Sequence, residues 1–538
     1  MSVFLAVSPV LLIFLLMTWG RRSADVAGLL GWLYTALLAA LYFHTSWQVV
    51  LLGSLAGIVA SFPISLMVVT SILQINVMEE AGAIRRLVVF MKTLARDSRA
   101  AQVMLINVGA GTVLAALGAT PVSILPPLML SLGYSAFVAI ALPAIGYDAL
   151  CTYALLGVPV VVFADVVKGI TGREFSPAEV GVYFAQYMPV VTTLIALSML
   201  WLVGGWKEIR DGWPAALVTG LTAGFIAIGM NAAGLPTLTG VVAGAGVVGV
   251  MLAFVRLSGR RLVDRSALTE DDRRTERGMG LALAVLPWLL LVAFSLITNH
   301  GAFRLYDLLF RQWAMPLEVV PGRPERLRMA WQAYTWVLVA TLVAVPFYRM
   351  SAERIAAAGK KTLRRAPRPA FAAAVYFAIA FVLNHSGKSV AMIDGRPAWV
   401  TDPAGGLNMV RVVADASAGL FHQAYAGVAA YLGLLGGFIS GSETSSIAML
   451  TKLHFDTIAQ VFAGFDAERL LRVGLLVAAV SGIGGGLASV ISPAKLQNAA
   501  AVIDRIGLES QVIRATVVIA LLMVLVVSLM TFVFLARL

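Results

Sequence analysis

Cysteine occurs once in the 538 residues, as Cys151, which excludes an internal disulfide framework and a cysteine-based zinc site. The five histidines are scattered, with no His-Glu-x-x-His or comparable pairing for a metal. No Gly-x-x-x-x-Gly-Lys-Ser/Thr phosphate loop is present, so ATP hydrolysis within this chain is not expected. No nucleophile stands at a recognisable spacing from a base, which argues against an enzyme buried in a membrane. Charge is scarce too. Asp, Glu, Lys and Arg together make 13% of the chain, against about 25% in a soluble domain.

Apolar residues fill the space, at 60% of the sequence. A water-soluble fold of this size cannot hide that much apolar surface, whereas lipid can take it. A bilayer span needs about 20 mostly apolar residues. Such stretches recur at Val3 to Trp19, Ala215 to Met230, Gly240 to Phe254, Leu281 to Thr298 and Thr516 to Leu535. The first has no basic residues before it and Arg21-Arg22 after it, which reads as a first span and not a cleaved leader. The net charge of +12 falls in loop clusters, so the positive-inside rule accounts for it and nucleic acid is not an expected partner. Those clusters are Arg21-Arg22, Arg85 to Arg99 (which also reads as an amphipathic surface helix), Arg256 to Arg277 and Arg349 to Arg368. All four are expected in the cytoplasm. The loops near 299–328 and 385–415 mix both signs and contain Pro and Gly, and are expected outside. Trp19, Trp32, Trp47, Trp201, Trp206 and Trp213 lie near segment ends, as an interfacial belt requires.

Parity shapes the rest. Spans near 183–204, 211–229 and 235–255, with a fourth near 144–168, make an even number between the basic loops. The stretch 101–143 must then enter and leave on one side, as two spans or a re-entrant hairpin, and 416–464 must do the same from the outer side. The expectation is an all-α polytopic membrane protein of roughly 12–14 segments. It would have two inverted-topology repeats, residues 1–255 and 279–538, joined by a basic cytoplasmic loop at 256–278. Helix breakers fall inside the matched segments: Gly118 to Pro121, Pro126-Pro127, Pro143, Gly146 and Gly157-Val-Pro159 in the first half. The second half has Gly433, Gly436-Gly437, Gly441-Ser-Glu-Thr-Ser-Ser446, Gly482, Gly484 to Gly486 and Ser492-Pro493. Irregular backbone at membrane depth survives only where protein or a watery cavity satisfies it, and paired broken segments point to a transporter site. The same glycines also fit close helix packing.

These residues resemble a known family, the lactate permeases, monocarboxylate symporters within the wider ion-transporter superfamily. Gly441-Ser-Glu-Thr-Ser-Ser446 is similar to the family's Gly-Ser-Asp-Thr-Ser-Ser, and Ile491-Ser-Pro493 matches its Ile-Ser-Pro. Gly109-Ala110 and Pro121-Val122 fit, without a gap, the stretch Gly-Ala-Phe-Leu-Glu-Gly-Ala-Ala-Gly-Phe-Gly-Ala-Pro-Val. Gly157-Val-Pro159 matches a Gly-Ile-Pro, and Gly507 to Ser510 a shortened Gly-Leu-Val-Gly-Lys-Glu-Ser. There are departures. The family's Glu in the first motif falls at Val113, so its role is not carried over. An Asn-Thr pair becomes Tyr147-Asp148, and a Gln after Ser-Pro becomes Ala494-Lys495.

Helix N-termini offer free amides and a positive dipole end, so hairpin tips meeting at mid-membrane make an anion site. Thr120 and Ser123 in one tip, and Ser442, Thr444, Ser445, Ser446 and Ser492 in the other half, are candidate hydroxyl contacts. Helix capping explains the same hydroxyls. Charge at membrane depth is expensive and marks function by default. Lys495 is the candidate partner of a substrate carboxylate, and Glu443 or Asp148 the candidate carrier of a coupling proton. Asp148 and Lys495 could instead neutralise each other as a structural ion pair. Cys151 reads as a packing residue, Asp165 and Lys168 as a segment end in water, and His422-Gln423 as an interfacial pair.

The sequence therefore points to a secondary active symporter in the cell (inner) membrane, working by alternating access. The resemblance implies lactate, glycolate or another short carboxylate as substrate. No cofactor is expected; the coupling ion is H+, with Na+ as the alternative. Partners are the small anion and the lipid bilayer, with a homodimer left open. The competing classes are a membrane enzyme, which needs a catalytic constellation, and an anion channel of the same fold, which needs pore symmetry.

Overall fold

A computed structural model shows the chain as a bundle of helices with two small β-hairpins at one end. The structure describes residues 1–20, 22, 24–93, 98–118, 120–266, 268–299, 303–503, 505 and 507–538. Among them, eight helices are long and apolar enough to cross a membrane, with shorter apolar helices at Ser2–Leu16, Asp25–Leu41 and Ala333–Tyr348. The outer faces are apolar too. Along Glu509–Leu535, Val518, Leu522, Leu525, Leu529 and Val533 form one exposed stripe, while Thr516, Ser528 and Thr531 face the bundle. This reversal of the soluble pattern needs lipid on the outside.

Several spans bend back where the sequence allows it. The 45-residue helix Met188–Ala232 is two spans joined at Gly204 and Gly205, whose dihedrals are not helical. Thr192 Oγ1 donates to Gly220 O at 2.6 Å, although a straight helix would hold those residues roughly 42 Å apart. The expected spans near 183–204 and 211–229 are these two arms.

Residues 99–131 form the first hairpin. One arm runs from Arg99 through a π-helical stretch, Met104–Ala110, to Gly111–Ala116, and Pro121–Ser131 returns. Asn107 faces Met129 at 3.7 Å, so the arms nest about Gly118, which has a φ of +83°. The second hairpin pairs Tyr425–Ser440 with Glu443–Val461 about Gly441, at φ +68°. Left-handed backbone at these two points is what glycine supplies. After each hairpin comes a broken helix. Residues 136–171 break at Asp148–Tyr153 and again at Leu155, Leu156 and Gly157, all three left-handed. Residues 467–502 break between Gly486 and Pro493.

One expectation needs correction: not every candidate breaker breaks a helix, since Pro126-Pro127 lie inside Pro121–Ser131 and Pro143 and Gly146 inside Ala136–Tyr147. Gly433, Gly436-Gly437, Gly482 and Gly484-Gly485 do not interrupt anything; they lie inside the continuous helices Tyr425–Ser440 and Ala467–Gly486. They serve close packing. A methyl on Gly433 would fall 1.8 Å from Ser481 O, and one on Gly437 2.0 Å from Gly485 O. The membrane segments are all helical, as expected, and the loops near 299–328 and 385–415 add two antiparallel hairpins, β1 (Met315–Val320) with β2 (Arg323–Leu327) and β3 (Lys388–Ile393) with β4 (Arg396–Thr401). Pro321-Gly322 and Asp394-Gly395 make their turns, the latter with positive φ at both residues.

A run of ion pairs gathers the basic clusters on one face. Arg85 meets Asp271, Lys92 lies 3.0 Å from Asp272, and Lys361 and Arg365 hold Glu79 at 3.2 and 3.3 Å. Arg368 reaches Asp25 at 3.7 Å, beside Arg22. The helix Pro367–His385 runs from that face to β3, a distance of about 28 Å, so the β-hairpins lie at the opposite end. Packing also crosses the boundary between halves: a methyl on Gly57 would fall 2.6 Å from Phe377 O.

Because Cys151 is buried, single introduced cysteines report sidedness cleanly. Met392→Cys in β3 should react with an impermeant maleimide on intact cells, and Arg274→Cys only after permeabilisation; the reverse pattern would invert the orientation. A second test concerns Glu325 in β2, whose carboxyl is pushed up to about 7 by burial first and by the Asp165 charge second, against Arg328 and Lys168. The unfolded carboxyl releases its proton near 4.3, so the docked hairpin should weaken as pH rises from about 4.3 through about 7. Amide exchange in β1 and β2 should report weaker protection at pH 8 than at pH 5 after intrinsic-rate correction, and Glu325→Gln should remove the difference.

Candidate functional site

The interruptions converge. At the second hairpin tip Gly441 ends one helix and Ser442, extended at φ −143° and ψ 123°, caps the next by accepting from Ser445 N at 3.3 Å. Ser446 Oγ donates to Gly433 O at 3.1 Å. Ser442 and Ser446 thus hold the tip's own backbone, while Thr444 and Ser445 are buried beside them. Glu443 is the first residue of the new helix and is 3% exposed. Its Oε1 accepts from Thr152 Oγ1 at 2.6 Å, from the break in the first broken helix. Its Oε2 is buried with no geometric hydrogen-bond partner among the described residues. Gly486 closes on that oxygen: a methyl there would sit 2.6 Å from Oε2 and 3.4 Å from Cys151 Cβ. Residue 486 is therefore glycine because the carboxylate occupies the space.

Lys495 comes from the first turn after the second break. Its Nζ donates to Ser489 Oγ and stands 3.9 Å from the centroid of the Tyr147 ring. Ser489 in turn donates to Gly486 O at 3.0 Å. Asp148, next to Tyr147, is 4% exposed and neither carboxylate oxygen has a hydrogen-bond partner among the described residues. No ion pair within 4.0 Å joins Asp148 to Lys495. The lysine rests instead on the aromatic face beside the aspartate, an arrangement favourable to a cation. The two departures from the family pattern, Tyr147 and Lys495, are thus in contact.

The first tip joins from the other side. Thr120, extended at φ −94° and ψ 102°, precedes Pro121, and the next residue, Val122, packs with Leu496, Ala499 and Ala500 of the helix that follows Ser492. The side chain of Ser123 lies outside the described set, as does Ala119. Ser492 is fully buried, extended, and its Oγ has no partner among the described residues. Each tip therefore meets the broken helix of the other half: Glu443 against Cys151 and Thr152, Val122 against Leu496. Three helix N-termini, at Pro121, Glu443 and Pro493, enter this region with their positive ends. Such ends, with one lysine, suit a small anion, and a buried carboxylate with an unpaired oxygen suits a proton or a cation.

Val113, where the family has its Glu, packs tightly against Gly244 of the helix Thr239–Leu257, whose added methyl would lie 2.7 Å from Val113 Cγ2. Asp165 and Lys168 are at the far end of their segment, paired with Arg328 and Glu174. His422 is exposed at a helix junction. Among the described residues no group of three His, Cys, Asp or Glu is poised for a metal. Sequence reasoning missed Thr152, Gly486, Ser489 and the contact role of Tyr147. Their only signal was position within a broken segment.

The profile of the L-lactate permease family matches residues 2–538. The glycolate permease GlcA of Escherichia coli (strain K12) is 23% identical over 572 residues, covering 99% of this chain and 95% of its own. The L-lactate permease of Bacillus subtilis (strain 168) is 24% identical over 584 residues with the same coverage. The L-lactate permease of Salmonella typhi is 23% identical over 450 residues, covering 76% of this chain and 73% of its own. These relatives are permeases and not enzymes, and their likeness extends over helices built to lie in lipid. This multi-pass protein of the cell membrane belongs to the L-lactate permease family.

Proposed function

We propose that this permease is a proton-coupled symporter for a short monocarboxylate such as L-lactate or glycolate, operating by alternating access. The observation that carries this reading is the pairing of unlike sites in one cluster. Lys495 and three helix N-termini favour an anion. Glu443 and Asp148 are buried carboxylates with oxygens that have no hydrogen-bond partner, and no ion pair, among the described residues. Taking up a proton and a carboxylate together moves no net charge into the apolar bundle, which is the physical advantage of symport here.

In this reading Lys495 binds the substrate carboxylate, with Thr120 and Ser123 at one tip and Thr444, Ser445 and Ser492 in the other half adding hydroxyl contacts. Glu443 carries the proton, with Thr152 setting its orientation; Asp148 is the second acceptor. Alternating access comes from the two halves moving as inverted repeats about the crossed contacts between tips and broken helices. The relatives named as L-lactate and glycolate permeases support the substrate class.

Uptake into proteoliposomes tests this. Labelled L-lactate or glycolate should accumulate under an inward proton gradient; accumulation driven by a sodium gradient alone would replace H+ with Na+. Glu443→Gln should abolish gradient-driven accumulation while leaving substrate exchange, and a variant still driven by the pH gradient would remove Glu443 as the proton carrier. Lys495→Met should raise the half-saturation concentration by about tenfold or more, since a charge-assisted hydrogen bond contributes about 1.5–3 kcal/mol. Because Asp148 does not pair with Lys495, adding Asp148→Asn should not rescue it. Recovery of stability and uptake in that double variant would restore the structural ion-pair explanation.

A further inference from the structure

One polar cleft takes no part in the site above. It opens at the β-hairpin end, where the first broken helix finishes. Asp165, Lys168, Glu174, Phe175 and Arg328 line it. Arg328 follows β2 in the chain, and its side chain is only 5% exposed, a depth at which arginine is rare. Its guanidinium lies 4.1 Å over the Phe310 ring, and Nη1 donates to both Asp165 oxygens at 3.0 and 3.2 Å. Its Nε is buried and has no partner among the described residues. A guanidinium presents a planar fork of five donors, and Asp165 occupies one nitrogen of it. Lys168 Nζ, 30% exposed, rests on Glu174 Oε1 at 2.6 Å.

A second cavity borders the same Val161 and reaches Leu156 and Val158, at the left-handed turn of the first broken helix. Trp331 and Trp336 wall that inner space. The two spaces thus lie along one segment, the one that carries Asp148 and Thr152.

We infer that the cleft is an outer docking subsite for a short carboxylate, held by the Nε side of Arg328 and by Lys168 before it reaches the broken helices. The four lining charges, Asp165, Lys168, Glu174 and Arg328, cancel, so there is little long-range pull and the ligand is held by short contacts. Weak, exchangeable binding follows, as a first stop on a transport path requires. Asp165 fixes the guanidinium plane and leaves its side edge for a planar carboxylate. This role rests on the transport reading; the ligand chemistry does not.

The test uses the full chain in nanodiscs carrying Lys495→Met, which weakens the inner contact, and titrates acetate by saturation-transfer NMR. Saturable binding is expected, and Arg328→Lys should weaken it about fivefold or more, because lysine can keep the Asp165 pair but lacks the planar edge. Thermal unfolding should change little. Lys168→Gln, at a partly exposed position, should weaken the same binding by about twofold or more and covers the case in which Arg328→Lys fails to fold. In otherwise unsubstituted protein, both changes should raise KM for L-lactate uptake with the maximal rate nearly unchanged. Acetate binding indifferent to both substitutions overturns the subsite. Arg328-dependent acetate binding in a protein that takes up neither L-lactate nor glycolate would support the subsite and overturn the transport reading alone.

Discussion

Helices stop inside the bundle at residues 117–118 and 120, 148–157, 441–442 and 487–492, which leaves peptide groups without helical partners at membrane depth. Lipid cannot satisfy them, so protein must enclose every one of these breaks. Much of the architecture follows from that demand. The helix pair Tyr425–Ser440 and Ala467–Gly486 approaches backbone to backbone through Gly433, Gly437, Ser481 and Gly485, which closes the bundle around the second tip and the second break. Ser440, Ser442 and Ser446 then satisfy local carbonyls and amides at that tip. Side chains that look like ligand contacts in the sequence are partly committed to holding the break open.

Enclosure also sets the chemistry. In such an enclosure the charges on the breaks interact strongly and are costly to leave unpaired. Glu443 has one oxygen held by Thr152 and one free, and Asp148 has both free. Lys495 is turned to the face of Tyr147 and to Ser489 instead of to either carboxylate. A resting ion pair would quench the cation as an anion site and the carboxylates as proton sites. Under the proposed reading, keeping them apart leaves both roles open, and the crossed contacts bring the groups within one region.

Scaffold and site were legible to different degrees. The hairpins turn at Gly118 and Gly441, as the breaker pattern required, because a local φ above zero is a property of the residue itself. The glycines at 433, 437, 484 and 485 carried the same letter for another reason, close packing against a neighbour far away in the chain, and composition cannot separate the two uses. The β-hairpins were missed even though Pro321-Gly322 and Asp394-Gly395 are ordinary turn signals. One short strand on each side of a turn carries too little alternation to stand out in an apolar, helix-rich chain.

Sequence alone determined that this chain lives in lipid, which of its faces is basic, and that helices turn at Gly118 and Gly441, since hydropathy, charge and backbone freedom are local properties. It also marked Asp148, Glu443 and Lys495 as out of place in an apolar segment. Only the tertiary structure decided which groups face one another: that Glu443 finds Thr152 across 291 positions, that Gly486 makes room for its free oxygen, and that Lys495 lies on Tyr147 and not against Asp148. The contacts of Glu443 with Thr152 and of Lys495 with Tyr147 join opposite halves, and a contact between halves depends on how every intervening helix packs, which no local pattern encodes.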